Sequence, residues 1–468
     1  MYRKSDGQIS IAEFMSPFGK LDGNNRWVKK AAMIPWGRVE EKYASLFKSD
    51  TGNVAKPVRM ALGTQLIKEE TGFSDEDILQ NVLENPYMQY FIGLHEFTTE
   101  PPFAATTMVY FRKRLTAEIM AEINEMIFAP EEPEEKEPGP GSGDEESGEN
   151  KGVLMLDATC VPADITYPTD TGLLNEAREK LEHIIDALHA ESGEAKKPRT
   201  YRKKARKEFL GFSKSKRKSG KQIRKAVRKQ LGYVRRDLGH IERMLEKTDA
   251  SALPERLSRQ LETIRTVHEQ QEYMYVNKTH KVTDRIVSIS QPYVRPIVRG
   301  KKNAPVEFGA KVSVSLVDGY AFVDKIGWDN YSEAELLPQA VKAYRRRFGC
   351  YPEAVLADKL YRNRENLRFC REKGIRLSGP RLGRPPKDAV KDSYEAADSA
   401  QRNWIEGKFG EGKTRYGLGR LFARLQGTCE TAIQTAILAM NLNRKMRVIL
   451  RLWLDAFLFR WNYSFGAC

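Results

Sequence analysis

No segment of the 468-residue sequence reaches the roughly 18 consecutive apolar residues that a membrane-crossing helix requires. The most apolar tail, 449–461, is broken by Arg451, Asp455 and Arg460 and is expected to form a packing helix. The N-terminal MYRKSDGQIS lacks the apolar core of a secretory signal, so a cytoplasmic protein with no membrane partner is expected. Paired cysteines are missing too. Cys160, Cys350, Cys370, Cys429 and Cys468 are odd in number and include no CxxC, which suggests neither a disulfide framework nor a zinc site.

What the sequence has in excess is positive charge. Its formal net charge is +15, which favours a polyanionic partner without separating DNA, RNA and acidic membrane. From Lys196 to Arg236 there are 19 Lys or Arg against one acid, Glu208. That local +18 exceeds the charge of the whole chain, so the remainder is slightly acidic. Like charges this dense repel one another unless something neutralises them. Phosphate-backbone binding through residues such as Lys203, Lys204, Arg206, Lys216, Arg217 and Lys218 is one reading; a solvated helical face or loop is the other. Tyr201, Phe209, Phe212 and Tyr233 are interleaved and suit packing or stacking.

The length exceeds one compact core, so two or more domains are expected. Residues 1–128 read as helical: Ser74 and Asp77 have capping-box spacing, and Asn85-Pro86 closes the helix that follows. Residues 129–151, rich in Glu, Pro, Gly and Ser, have almost nothing to bury and read as a disordered linker. Residues 174–283 read as a long helical insertion, with Leu257, Leu261 and Ile264 on one face, expected to form a helical hairpin. Strand texture surrounds it. Val153–Leu156 is a short apolar run that ends at Asp157, and Ala354–Ala357 is another that ends at Asp358. Val306 to Leu316 alternates apolar and polar residues, predicting a strand with one buried face, and Asp318-Gly319 signals a hairpin into a strand over 321–328. Helices over 332–348 and 363–373 and a short strand over 375–378 complete a mixed α/β layout.

Two buried strands that end in Asp bring two carboxylates together if they are parallel neighbours. Bare like charges would push one pKa up, and a divalent cation bound by oxygen, Mg²⁺ or Mn²⁺, removes the conflict. Taken singly, such an Asp is more often a turn or a helix cap. A third element is RNWIEGKFGEGK, 402–413. On a helix Arg402, Glu406 and Lys413 fall on one face, a carboxylate between two cations. That face suits phosphoryl chemistry, with Glu406 on metal and the two cations on phosphates; an ordinary exposed helical ion pair is the plainer alternative. Gly407, Gly410 and Gly412 weaken the helix and permit close approach of another backbone such as DNA.

Arg402, Glu406 and Lys413 match the R-x3-E-x6-K signature of the DDE transposases of bacterial insertion sequences, and most of the sequence outside the linker resembles that family. LMLDATCVPADI is similar to its first-aspartate strand and VLADKLYRNRENLRFC, with Asp358 and Tyr361, to its second. DRIVSISQPYVRPIVRGK and VEFGAKVSVSLVDGYAF also resemble it, and PVRMALGTQLIKEETGFSDEDILQNVLENPYMQYFIGL resembles its helical N-terminal domain. Ser399 stands where the fuller signature has tyrosine, with Tyr394 nearest. The resemblance implies an RNase H-like α/β core over 152–450, a mixed sheet flanked by helices. This core follows an all-α domain (1–128) and precedes a helical tail (451–468). It implies Asp157, Asp358 and Glu406 as catalytic ligands of two Mg²⁺ or Mn²⁺ ions, and Arg402, Lys413 and Tyr361 as DNA contacts. The implied substrates are double-stranded terminal-repeat and target DNA, cleaved and joined at the nucleoid by a homodimer or higher multimer. Two other readings are a non-catalytic DNA-binding derivative and an RNase H-like nuclease without strand transfer.

Overall fold

A computed structural model describes residues 1–4, 10–48, 51–130, 149–192, 195–247, 253–298, 306–379 and 394–465, with side chains to 452. Most of the expected linker, and residues 380–393, lie outside them. The helices are α1 (Arg26–Met33), α2 (Trp36–Ala44), α3 (Val58–Thr71), α4 (Asp75–Glu84), α5 (Pro86–Phe91), α6 (Thr107–Arg114), α7 (Ala117–Phe128), α8 (Asp170–Ser192), α9 (Arg202–Ser213), α10 (Gly220–Leu245), α11 (Glu255–Val276), α12 (Leu337–Phe348), α13 (Arg364–Glu372), α14 (Glu395–Arg415) and α15 (Gln426–Phe465). The strands are β1 (Val153–Pro162), β2 (Arg295–Val298), β3 (Val306–Val317), β4 (Tyr320–Gly327), β5 (Ala354–Ala357) and β6 (Arg376–Leu377). The chain divides into two compact units: Met1–Pro162, Lys311–Gly327 and Tyr331–Cys468 in one, Ala163–Ala310 and Trp328–Asn330 in the other.

In the first unit the sheet runs β4-β3-β1-β5-β6, with β1, β5 and β6 parallel and β3–β4 an antiparallel hairpin. The hairpin turn has positive φ at both Asp318 and Gly319, the geometry that matches strand twist in a two-residue turn. Arg444 of α15 donates from Nε and Nη2 to the Asp318 carbonyl at 3.0 and 2.6 Å. The backbone of Ala321 on β4 is satisfied from helices: Asn441 accepts its N–H at 2.9 Å, and Asn441 and Asn124 both donate to its carbonyl. Leu154, Leu156, Val355 and Ala357 form one face of the parallel strands and pack with Leu337, Val341 and Tyr344 of α12.

The structure departs from the expected layout at several points. β1 does not end at Asp157 but continues to Pro162. β3 is buried on both faces from Gly309 to Val317, not on one. Its polar alternants are satisfied inside: Lys311 donates to the Tyr331 carbonyl at 2.7 Å, Ser313 bonds the Tyr331 hydroxyl at 2.8 Å, and Ser315 donates to Asp324 at 2.6 Å. The N-terminal helices share a compact unit with the sheet, since α3, α6 and α7 pack on α15 and α7 on β4. No break falls at residue 451, where α15 is continuous, and Ile449, Leu450 and Leu452 are exposed. The capping of α4 is half of the box read from the spacing: Ser74 Oγ accepts the Asp77 N–H, while the Asp77 carboxylate accepts from the Ser74 hydroxyl and not from its backbone N–H.

The second unit is wider than the expected insertion, Ala163–Ala310 against 174–283. It is not a simple hairpin. α8 packs along α10, and α11 packs on both. Leu174, Leu181, Ile184 and Ile185 of α8 meet Leu231, Val234 and Ile241 of α10 and Leu261, Ile264 and Val267 of α11. Ser219 and Gln222 cap α10 reciprocally.

Candidate active site

β1 and β5 pair in parallel from Val153↔Ala354 to Leu156↔Ala357. The pairing ends at Leu156 and Ala357; Asp157 follows within β1, and Asp358 directly follows β5, so the register leads the two strands into the two acids at the same end of the sheet. Side chains alternate along a strand, so Asp157 belongs to the face opposite Leu154 and Leu156. The Asp157 carboxylate accepts the Ala158 N–H at 2.8 Å, and the Asp358 carboxylate accepts the Lys359 N–H at 2.6 Å, capping a 3-10 turn. Burial pushes the Asp157 carboxyl up to about 6; the charges of Glu333 and Glu406 push the same way, while the Ala158 N–H and Arg402 oppose.

α14 carries Arg402, Glu406 and Lys413 on one helical face, as the spacing predicts, and packs against β1 and β5. Its start is held to β6 by Arg376, whose guanidinium forms two bonds to Asp398, one at 3.0 Å. Ile405, Lys408 and Gly412 face inward. Arg402 Nη2 lies 3.3 Å from Glu406 Oε1, and the Glu406 side chain is 54% exposed. Gly412 serves internal packing rather than DNA: a Cβ there would press on Leu418 and Met440. Gly407 and Gly410 have open space in place of a Cβ. Ser399 is exposed, and Arg376 lies over the Tyr394 ring at 4.7 Å.

Sequence reasoning missed Glu333 and Lys311. Lys311 reads as one polar alternant of a half-exposed strand, yet it is only 7% exposed and its Nζ sits 2.8 Å from Glu333. Asn366 donates to the carbonyls of both Ala334 and Tyr361, at 2.8 Å each, and so ties the segment after Glu333 to the turn after Asp358. The signal available in sequence was a lysine inside an otherwise apolar and small-residue strand, which needs an internal acid as partner.

Tyr361 corrects an expectation. At 2% exposed it packs in the core with Leu154, Leu156 and Val341, so its ring is not open to DNA. Burial, followed by the charges of Glu333 and Asp157, raises its hydroxyl pKa. Lys203, Lys204, Arg206, Lys216, Arg217 and Lys218 are all exposed, on α9 and the turn before α10. Among the described residues no three His, Cys, Asp or Glu side chains are close enough to hold a metal ion together. The donor set at Asp157, Asp358 and Glu406 nevertheless fits a hard divalent cation. It is all carboxylate oxygen, and Asp157 is raised by burial and by Glu333 and Glu406, a cost that a cation relieves.

A family described as the transposase DDE domain matches residues 355–443, and one described as a transposase domain (DUF772) matches residues 17–114. The first match contains Asp358, Arg402, Glu406 and Lys413; Asp157 and the basic segment lie outside both. An uncharacterized protein, ORF8 in the nfe locus of Rhizobium meliloti, is 30% identical over 154 residues, 33% of this chain and 70% of that protein. No solved structure matches.

Proposed function

This chain belongs to the DDE transposases of the insertion-sequence type, and we propose that it cleaves DNA at transposon ends and joins those ends to target DNA with Asp157, Asp358 and Glu406 as its acidic centre. The observation that supports this reading is the parallel β1–β5 pairing, which runs to the residues just before Asp157 and Asp358, with α14, the helix bearing Glu406, packed on both strands. The core is RNase H-like in our reading. Numbered within the first unit alone, its five strands lie in the order 3-2-1-4-5, with a hairpin before the helix and parallel strands after it.

Asp157, Asp358 and Glu406 would hold two Mg²⁺ or Mn²⁺ ions. When bound, such ions supply Lewis-acid activation of the attacking oxygen and neutralise charge on the leaving oxygen. Arg402 and Lys413 flank Glu406 on the same face and would clamp the phosphodiester backbone. Gly410, one turn beyond Glu406 and open to solvent, leaves room for that backbone to approach. The exposed lysines and arginines of the second unit would hold further phosphates of double-stranded DNA. Synapsis of two ends requires a dimer or larger assembly, which we place at the nucleoid. Among the described residues no helix is long and apolar enough to cross a membrane.

The test is Mg²⁺-dependent cleavage of DNA carrying the element's terminal repeats, with pre-cleaved ends assayed separately for strand transfer. Asp157→Asn, Asp358→Asn and Glu406→Gln each lower both reactions by several orders of magnitude. Undiminished cleavage by any of the three removes that residue from the centre, and cleavage without strand transfer by the native protein makes it a nuclease.

A further inference from the structure

The second unit contains a pocket of ≈ 210 Å³ between α9 and α10. Phe209 and Phe212 of α9 line it, with Glu208 beside them; Lys225, Lys229 and Gln230 line it from α10. We propose that this pocket receives one unpaired nucleobase of a DNA strand, a reading that rests on DNA binding by the basic segment. The base stacks on the phenylalanines, the Gln230 amide oxygen accepts one of its N–H groups, and Lys225 holds an adjoining phosphate.

Four observations point this way. Phe209 and Phe212 stand outside the apolar core of the unit, which includes no residue of α9, and Ala205 is the one buried residue of that helix. Two half-exposed rings on successive turns of a helix are a stacking surface of the kind that single-stranded nucleic acid uses. Gln230 is 2% exposed, and its Oε1 has no hydrogen-bond partner among the described residues. A buried acceptor left unpaired is costly, and a ligand with an N–H donor removes that cost. The pocket is smaller than the 300 Å³ at which drug-sized sites begin, so it suits one ring system rather than a whole nucleotide. Finally, its local charge suits phosphate. Glu208 is engaged by Lys229 at 2.9 Å and by the Tyr233 hydroxyl at 3.0 Å, and Lys218 Nζ lies 5.1 Å from the Phe212 ring centroid.

The experiment uses the full chain and one oligonucleotide sequence with a central 2-aminopurine, offered as a single strand and as a fully paired duplex at one salt concentration. The native protein binds the single strand and quenches the 2-aminopurine, whereas the paired base in the duplex is not quenched further. Phe209→Leu keeps the apolar bulk without the π-face. It weakens single-strand binding about tenfold and removes the quench, while duplex binding stays the same. Gln230→Met, close in size, weakens the single strand in the same direction. Thermal melts of both variants establish that the unit is folded. If Phe209→Leu is folded and both single-strand affinity and quench are unchanged, the pocket is not a base site. If the native protein binds neither form, DNA binding by the basic segment fails, and the pocket's assignment fails with it.

Discussion

At the scale of single residues, two acids with raised carboxyl pKa sit in different surroundings. Asp157 is raised by burial and by two other carboxylates, in the direction that a bound cation reverses. Asp237 is different. It is fully buried in α10, neither of its oxygens has a hydrogen-bond partner among the described residues, and burial, aided by Glu182, pushes its carboxyl up to about 7 against the pull of Arg236, Arg178 and Arg202. Its folded pKa lies above the unfolded value near 3.8. The folded state therefore holds the proton longer, and stability falls as pH rises between those two values. Asp237→Asn is expected to melt higher than the native protein at pH 8 and to flatten that pH dependence. Equal melting of the two proteins across the window would contradict the assignment. The helical face shared by Arg402, Glu406 and Lys413 was legible in sequence from their spacing. The position of Glu333 was not, because it depends on the packing of the 3-10 turn Ala334–Leu336 that follows it against the turn after Asp358, and on its pairing with Lys311.

At the scale of elements, sequence texture located every strand except β2, but not the strands' lengths or degree of burial. The apolar run before Asp157 ended where the sequence said, yet the strand continued, because pairing is a property of the neighbouring backbone and not of side-chain polarity. β3 alternates apolar and polar residues as a half-exposed strand would, and its polar set is buried because Tyr331, Glu333 and Asp324 supply partners from distant sequence. The turn at Asp318-Gly319 was fully legible, since only a short list of residues tolerates positive φ twice in succession. Gly319 has a second constraint that the sequence hides: an added Cβ would overlap the Arg444 guanidinium. Gly319→Ala is expected to destabilise the first unit by about 1–3 kcal/mol through backbone strain, and to displace Arg444 from the Asp318 carbonyl. Chemical denaturation measures it, and a change under 0.5 kcal/mol, about what an ordinary surface substitution gives, would show that the turn does not need glycine.

At the scale of the whole molecule, charge is distributed by segment. The net positive charge is concentrated in 196–236, within the second unit, while the rest of the chain is slightly acidic. That asymmetry was the clearest global feature of the sequence. The insertion's boundaries and its α8–α10–α11 packing were hidden because the helix pairs are long-range. Replacing Lys203, Lys204 and Arg206 together by Ala is expected to weaken DNA binding alike for all sequences. The slope of log K against log salt should become shallower by about 0.9 for each phosphate that the protein no longer neutralises. An unchanged slope would mean that other residues neutralise the phosphates. The central claim is that Asp157, Asp358 and Glu406 form one metal centre. Calorimetric titration of the native protein with Mn²⁺, in the presence of terminal-repeat DNA, tests it most directly. Two bound ions are expected for the native protein, with occupancy sharply reduced in Asp157→Asn and one site weakened in Glu406→Gln. The same stoichiometry and affinity in all three proteins would contradict it.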